Sequence, residues 1–267
     1  MTKNNLFQTV SIIMLLIITL SCVSENHEII KDEDGNVRLK CELKNGIRHG
    51  KCYHYYPSGA VQVISNWVEG VKDGESIEYF ENGKIKETAM WEDDKLHGEL
   101  LRYSDNGYIH NIMGFVSGRP HGLWQQYSSG HPRRATQYVL VKEDQSYANQ
   151  WWTYDFFGDV KKEQSHYYSI YSEIGDSIKV GETGEFIIKL EAPLLGEYMK
   201  LVTGDFDKRF NPIDPAKLDT IDCVGFECTV KFKFDEKGVH FVQGIILDGG
   251  IGEDVREIYF MRAALVY

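Results

Sequence analysis

Histidines, cysteines and an acidic glycine loop are the residues of this chain whose types and spacing could do chemistry. His49, His97 and His121 each precede a glycine in one column of a 24-residue beat, with Asp73-Gly74 in the remaining place. Imidazoles in a column are a metal-binding composition. If the beat marks successive β-hairpins, however, the column advances by two strand spacings, roughly 9–10 Å a step, and Asp73 interrupts it. The pairs are therefore assigned a turn role, and no metal is assigned to them. Asp248-Gly249-Gly250-Ile251-Gly252-Glu253-Asp254 could present oxygen ligands to calcium; a solvated hairpin loop is the simpler expectation, and calcium there stays open. The chain carries no Gly-x-Ser-x-Gly elbow, phosphate-cradling loop, His-Glu-x-x-His helix or dinucleotide fingerprint. Its 40 carboxylates scatter over turns and strands, and sequence singles out no pair for glycoside chemistry. No catalytic residue and no cofactor is assigned, and the chain is not expected to be an enzyme.

The elements that must carry these residues follow from the beat. Ser58-Gly59, Asn82-Gly83, Asn106-Gly107 and, one residue early, Ser129-Gly130 are turn dipeptides, since glycine reaches positive φ at no steric cost. A tyrosine column runs Tyr55, Tyr79, Tyr103 and Tyr127, and another runs Trp67, Trp91 and Phe115. The flanking segments alternate with period two (Val61, Val63, Ser65, Trp67; Ile85, Glu87, Ala89, Trp91), which is strand periodicity. A lone hairpin is marginal in water, so the copies must stack, with most of the tyrosine column expected in their shared core.

The run Asn45-Gly46-Ile47-Arg48-His49-Gly50, then Tyr55-Tyr56-Pro57-Ser58-Gly59, resembles the MORN repeat, and is most similar to a longer bacterial variant found in antitoxin-like proteins. The resemblance covers residues 34–167. It implies a twisted antiparallel sheet of successive hairpins that serves as a binding or scaffolding surface, and it implies no chemistry. A lysine-methyltransferase domain follows the repeats in some members, and its motifs have no match here. Asp34-Gly35 falls 24 residues before Ser58-Gly59 and marks an incomplete leading copy. After a polar insertion at 142–150, Trp151, Tyr154 and Gly158 mark a divergent fifth copy.

Residues 1–21 read as a signal peptide. Lys3 precedes an apolar run from Val10 to Leu20, short of the ~20 residues a membrane span needs. Ser21-Cys22 resembles the lipobox of bacterial lipoproteins, in which the cysteine is acylated and becomes the mature N-terminus. Thr19 and Leu20 depart from the usual pattern, and ordinary cleavage after Ser21 is the alternative. Acyl chains on Cys22 would hold the chain stably on a membrane. Val23 after the cysteine is compatible, in lipoproteins generally, with passage to the outer membrane. Residues 22–33 then read as an acidic tether, and the expected location is the cell envelope, periplasmic or surface-exposed.

With Cys22 set aside, Cys41, Cys52, Cys223 and Cys228 remain, an even number in an exported chain. Gly225-Phe226 suits a two-residue type II′ turn, which makes Cys223 and Cys228 a facing pair within disulfide reach. Cys41 and Cys52 flank a glycine turn on the first hairpin and could likewise face each other. Zinc is disfavoured because no second close-spaced cysteine pair exists.

From residue 168 the beat is gone, and short strand-like runs bounded by Gly, Pro and Asp suggest a β-sandwich over 168–267. Asp235 to Val242 resembles the corner entering a late strand of an immunoglobulin-like domain, with His240 where those domains often place tyrosine. The expected fold is all-β, an antiparallel repeat sheet of stacked hairpins followed by an Ig-like β-sandwich.

Aromatic residues make up 13% of the chain. Tyr56, Phe80 and Trp124 lie on the face opposite the tyrosine column and form a candidate binding surface, able to stack on sugar rings or anchor a protein partner. The net charge of −11, with nine basic against eleven acidic residues in 44–131, offers no basic stripe to phosphates, so nucleic acid is excluded. An acidic array also suits anionic headgroups poorly, which leaves the lipid on Cys22 as the membrane link. The functional expectation is an exported, lipid-anchored, non-enzymatic binding or scaffold protein with a protein partner. The alternatives are an antitoxin or immunity-type binder acting outside the inner membrane, or a glycan-binding or glycan-processing envelope protein.

Overall fold

Strands and short turns account for almost the whole of the computed structural model, which describes residues 26–172, 175, 177–252 and 254–267. The signal peptide and the lipidation expected at Cys22 lie outside the described residues. No α-helix occurs among them, and they divide into two compact units, one ending at Gly107 and the other starting at Tyr108.

In the first unit β1 (His27–Lys31), β2 (Val37–Lys44), β3 (Ile47–Tyr55), β4 (Val61–Val68), β5 (Val71–Tyr79), β6 (Ile85–Glu92) and β7 (Lys95–Tyr103) pair antiparallel in chain order. Strand pairing begins earlier than the sequence suggests. His27–Lys31 lies within the expected tether, yet it pairs with β2, and Glu28 takes a 2.7 Å salt bridge from Arg48 on β3. The acidic character that reads as tether supplies this cross-strand partner.

Two turn types alternate. At the tips, Tyr56 N–H donates to Ala60 O and Gly59 N–H to Tyr56 O, both at 2.9 Å, and Phe80, Lys84 and Gly83 repeat the arrangement. These are three-residue loops closed by a glycine at φ +86° or +82°. Between copies, Asn45-Gly46 and Glu69-Gly70 have positive φ at both positions, the type I′ geometry. Asp93-Asp94 adopts the same geometry without glycine, and the Asp94 carboxylate accepts the Lys72 N–H at 2.7 Å.

The His-Gly column does not sit in turns. His49-Gly50, Asp73-Gly74 and His97-Gly98 lie inside β3, β5 and β7, where the register slips: Cys41 faces Cys52, but Leu43 faces Arg48. The slip is a β-bulge, and φ values of +104°, +96° and +89° are what require glycine there.

The buried row of the sheet is Cys41, Cys52, Ser65, Ser76, Ala89 and Leu100, each opposite the next across β2 to β7. Trp67 and Trp91 hydrogen-bond over this row, donating Nε1–H to Ser65 Oγ at 2.9 Å and Ser76 Oγ at 2.8 Å. Small side chains are used here because the indoles need room above them. Tyr55, Tyr79 and Tyr103 fall on the opposite face and are only half-buried, so the tyrosine column is not the core.

In the second unit β8 (Ile109–Val116), β9 (Arg119–Pro120), β10 (Gly122–Ser128), β11 (His131–Val141) and β12 (Gln145–Thr153) continue the hairpin pattern, with β10 between β8 and β11 and β9 on β8. The polar stretch 142–150 is therefore mostly strand rather than an insertion. The turn after it has the repeat geometry, with Asp155 N–H bonded to Asp159 O and Gly158 at φ +96°.

Two further sheets complete the unit. β13 (Tyr167–Tyr171), β15 (Thr183–Ala192) and β18 (Glu227–Lys233) form one, in the order β13-β15-β18. β14 (Ser177–Ile178), β16 (Tyr198–Thr203), β17 (Asp219–Asp222), β19 (Gly238–Gly249) and β20 (Val255–Val266) form the other, in the order β14-β20-β19-β16-β17. They pack face to face through Phe186, Ile188, Leu201, Val230, Ile246 and Phe260, all nearly inaccessible.

Both disulfides join neighbouring strand segments, Cys41 to Cys52 and Cys223 to Cys228. Val224 and Glu227 exchange both backbone hydrogen bonds around Gly225-Phe226, with Gly225 at φ +60°. This hairpin crosses from the five-stranded to the three-stranded sheet, so its disulfide joins the two layers. With sequence separations of 11 and 5, each bridge should contribute about 2–3 kcal/mol by the chain-entropy model. Reduction should accordingly lower the denaturation midpoint without abolishing the β-sheet circular dichroism. Peptide mapping under non-reducing conditions should find no other pairing of these four thiols.

Candidate interaction surfaces

The first unit presents two unlike faces. On the face of the buried row, cations lie over the indoles: Arg48 is 5.0 Å from the Trp67 ring centroid and Lys72 Nζ 3.8 Å from that of Trp91. Burial of Lys72 pushes its pKa down, against the opposing pull of Glu87 and Asp94. Beyond the buried row, Glu78–Lys86 and Glu87–Arg102 close as salt bridges of 2.8 and 2.7 Å. Aromatic and charged groups on this face are thus committed to one another.

The other face carries Tyr53, Ile64, Ile77, Thr88 and Leu101 in one cross-strand row over β3 to β7, all half-buried. Beside it run Tyr55, Tyr79 and Tyr103, with Ile85 and Met90 exposed. Apolar side chains half open to solvent across five adjacent strands are an interaction surface by composition. Strand alternation implies that such a row exists, but the expectation that tyrosines form the shared core concealed its exposure.

The three aromatics of the sequence-derived surface are placed differently from one another. Tyr56 is half-buried and donates its hydroxyl to Tyr79 O at 2.7 Å. Phe80 holds the equivalent place one copy later and is also half-buried. Trp124, in the second unit, lies between Phe115 and Tyr138, with centroids at 5.2 and 4.8 Å, and donates Nε1–H to Gly114 O.

A polar cluster in the second unit joins β12 to β20. β14 pairs with β20 only at Leu265 and Val266, and among the described residues no strand covers the rest of that edge of β20. Side chains substitute for one. Asn149, fully buried, accepts the Tyr259 N–H and donates to Tyr259 O, each at 2.7 Å. Tyr147 donates its hydroxyl to Glu257 O at 2.7 Å. Arg256 donates to Ala148 O and lies over the rings of Tyr147 and Trp151 at 5.1 and 5.0 Å.

His166 and Asp248 lie deeper, both with no exposed surface. Asp248 Oδ2 accepts Leu194 N–H at 2.6 Å and Leu195 N–H at 3.1 Å, and its Oδ1 accepts Gly196 N–H at 3.1 Å. The first acid of the loop considered for calcium is therefore turned inward as the anchor of the β15–β16 connection. His166 Nδ1 donates to Ala192 O at 2.9 Å and stands 3.8 Å from Asp248 Oδ2, while Nε2 has no hydrogen-bond partner. Burial drives the His166 pKa down; the Ala192 carbonyl opposes this, Arg256 adds to it, and Asp248 again opposes it. The unfolded chain therefore binds a proton that the folded chain refuses, and stability is lost as pH falls below the unfolded imidazole value of about 6.5. Urea denaturation should show the loss setting in as pH falls below about 6.5, and His166→Gln should reduce it.

Among the described residues, no group of three or more His, Cys, Asp or Glu side chains converges as a metal site. The structure thus defines a class, a β-hairpin repeat array followed by two packed sheets. The MORN repeat variant matches at residues 48–69 and 72–93, spans that each contain one strand, the three-residue tip and the next strand. Comparison with curated proteins finds no match to the chain. MORN repeats point to a repeat-based binding or scaffold role.

Proposed function

We propose that this is an exported, lipid-anchored, non-enzymatic envelope protein that binds a protein partner through its repeat sheet. The observation that carries the binding reading is the half-open row of Tyr53, Ile64, Ile77 and Leu101. Its residues are spaced by the strand pairing itself and lie opposite the face that the indoles cover. Two disulfides support an oxidising compartment, in keeping with the apolar run that ends at Ser21-Cys22. Acylation of Cys22 gives the anchor, and Val23 favours the outer membrane. For residues 168–267, His240 Nε2 sits 2.9 Å from Glu236 O, the link back to the preceding backbone that immunoglobulin-like domains make with a tyrosine; this supports an Ig-like sandwich.

Two measurements on cells expressing the full chain test the proposal. Cys22→Ala should abolish fatty-acid labelling and release the protein from membranes; an unlabelled, soluble wild type would sink the anchor. A partner crosslinked in the envelope should be lost from the Ile64→Asp, Ile77→Asp double variant while its circular dichroism stays unchanged. Retention of the same partner by that variant would sink the repeat-face assignment.

A further inference from the structure

The edges of the two C-terminal sheets are treated unequally. β17 is four residues long, β14 is two, and β13 has five with a register slip at Tyr167/Tyr168. The open edge of β20 is closed by Asn149 and Tyr147. Short, irregular or covered edges are how folded chains avoid unwanted strand pairing. β18 is neither short, irregular nor covered; its edge is marked by charge, Lys231 and Lys233, which repels a basic strand but not an acidic one. It has seven residues, no proline, unbroken register with β15 from Thr183↔Lys233 to Lys189↔Glu227, and no strand on its other side among the described residues.

That edge is one wall of a groove of about 510 Å³ between the two sheets. Five successive β18 residues, 229–233, line it, so the groove runs along the strand's main chain. The hairpin carrying Cys223–Cys228 joins β17 to β18, which belong to different sheets and do not pair with each other. Ile221, Val230 and Phe232 give the groove an apolar lining, while Asp205 and Asp219 stand on the wall opposite β18. Lys231 and Lys233 are exposed.

From this we infer that the groove receives an extended peptide segment of a partner protein, added as a fourth strand beside β18. Unsatisfied main-chain groups of the edge supply the hydrogen bonds, and the lining accepts every second side chain. Charge determines the remaining side chains. Acidic groups at the inward positions would meet Asp205 and Asp219, so the inward residues are apolar. The outward residues stand across from Lys231 and Lys233, where opposite charge stabilises a cross-strand pair and like charge destabilises it. The occupant is therefore a strand alternating apolar and acidic residues. In full antiparallel overlap a second copy of β18 would set Glu227 against Lys233 but leave Lys231 opposite Thr229, so it complements one lysine where the acidic strand complements both. This site is independent of the repeat face, and either can fail without the other.

The test uses the full chain and two synthetic nine-residue peptides, one alternating Val with Glu, the other Val with Lys. Fluorescence anisotropy should show saturable binding of the Val/Glu peptide and at least tenfold weaker binding of the Val/Lys peptide. Hydrogen exchange should slow at residues 229–233 when the Val/Glu peptide is bound. The Lys231→Glu, Lys233→Glu double variant should reverse the preference, a gain of binding that misfolding cannot mimic. Equal affinity for both peptides, an unchanged preference in the double variant, or protection confined to β2–β7 would each overturn the assignment.

Discussion

Asp248→Ala should destabilise the second unit by about 3–5 kcal/mol, read as a lowered urea midpoint at neutral pH. The carboxylate is fully buried and accepts three successive backbone N–H groups, those of Leu194, Leu195 and Gly196. Hydrogen bonds to a charged group are the stronger kind, at about 1.5–3 kcal/mol each, and truncation removes the shared acceptor of three donors at once. Asp248→Asn keeps the shape and one good acceptor and should cost distinctly less. Were Asp248 instead a calcium ligand in a solvated loop, Asp248→Ala would change stability only in the presence of calcium. A calcium-dependent loss would contradict the anchoring role.

Asn149→Ala should cost about 1–3 kcal/mol, because it leaves the N–H of Tyr259 unpaired in a buried site and its carbonyl with only the longer bond, 3.3 Å, from the Tyr168 hydroxyl. Asn149→Asp should not restore stability, since a carboxylate can accept from the Tyr259 N–H but cannot donate to its carbonyl. Thermal denaturation of the three proteins at pH 7 separates these effects. Equal midpoints for the wild type and Asn149→Ala would mean that water replaces the side chain at this edge.

Periodicity carried the repeat array. Spacing of glycines and aromatics located the hairpins and both disulfide pairings, because turn geometry and strand alternation are local properties of the chain. Exposure was not local. Nothing in Tyr55 or Tyr79 says which side of a sheet holds the core; that depends on Ser65, Ser76 and Ala89 making room for indoles on the other side. The stretch 142–150 reads as a polar insertion for a similar reason. Asn149 and Gln150 are polar because they meet backbone and side-chain amides, Asn149 those of a strand 110 residues away, and that partner is invisible to a window of sequence. The glycines of the His-Gly pairs were recognised, but a turn and a bulge both call for positive φ, and composition alone does not separate them.

The way β12 closes the edge of β20 bears on how separable the parts of this chain are. A chain beginning at residue 167 would keep both C-terminal sheets yet lose Tyr147 and Asn149, and with them the side-chain cover on Glu257 O and Tyr259 N–H. Such a fragment would carry an adhesive flank of unpaired amides and carbonyls in place of a finished surface. The last repeat strand therefore belongs physically to the pair of C-terminal sheets. Modular shuffling of this C-terminal body onto other proteins would have to carry β12 along as part of the unit.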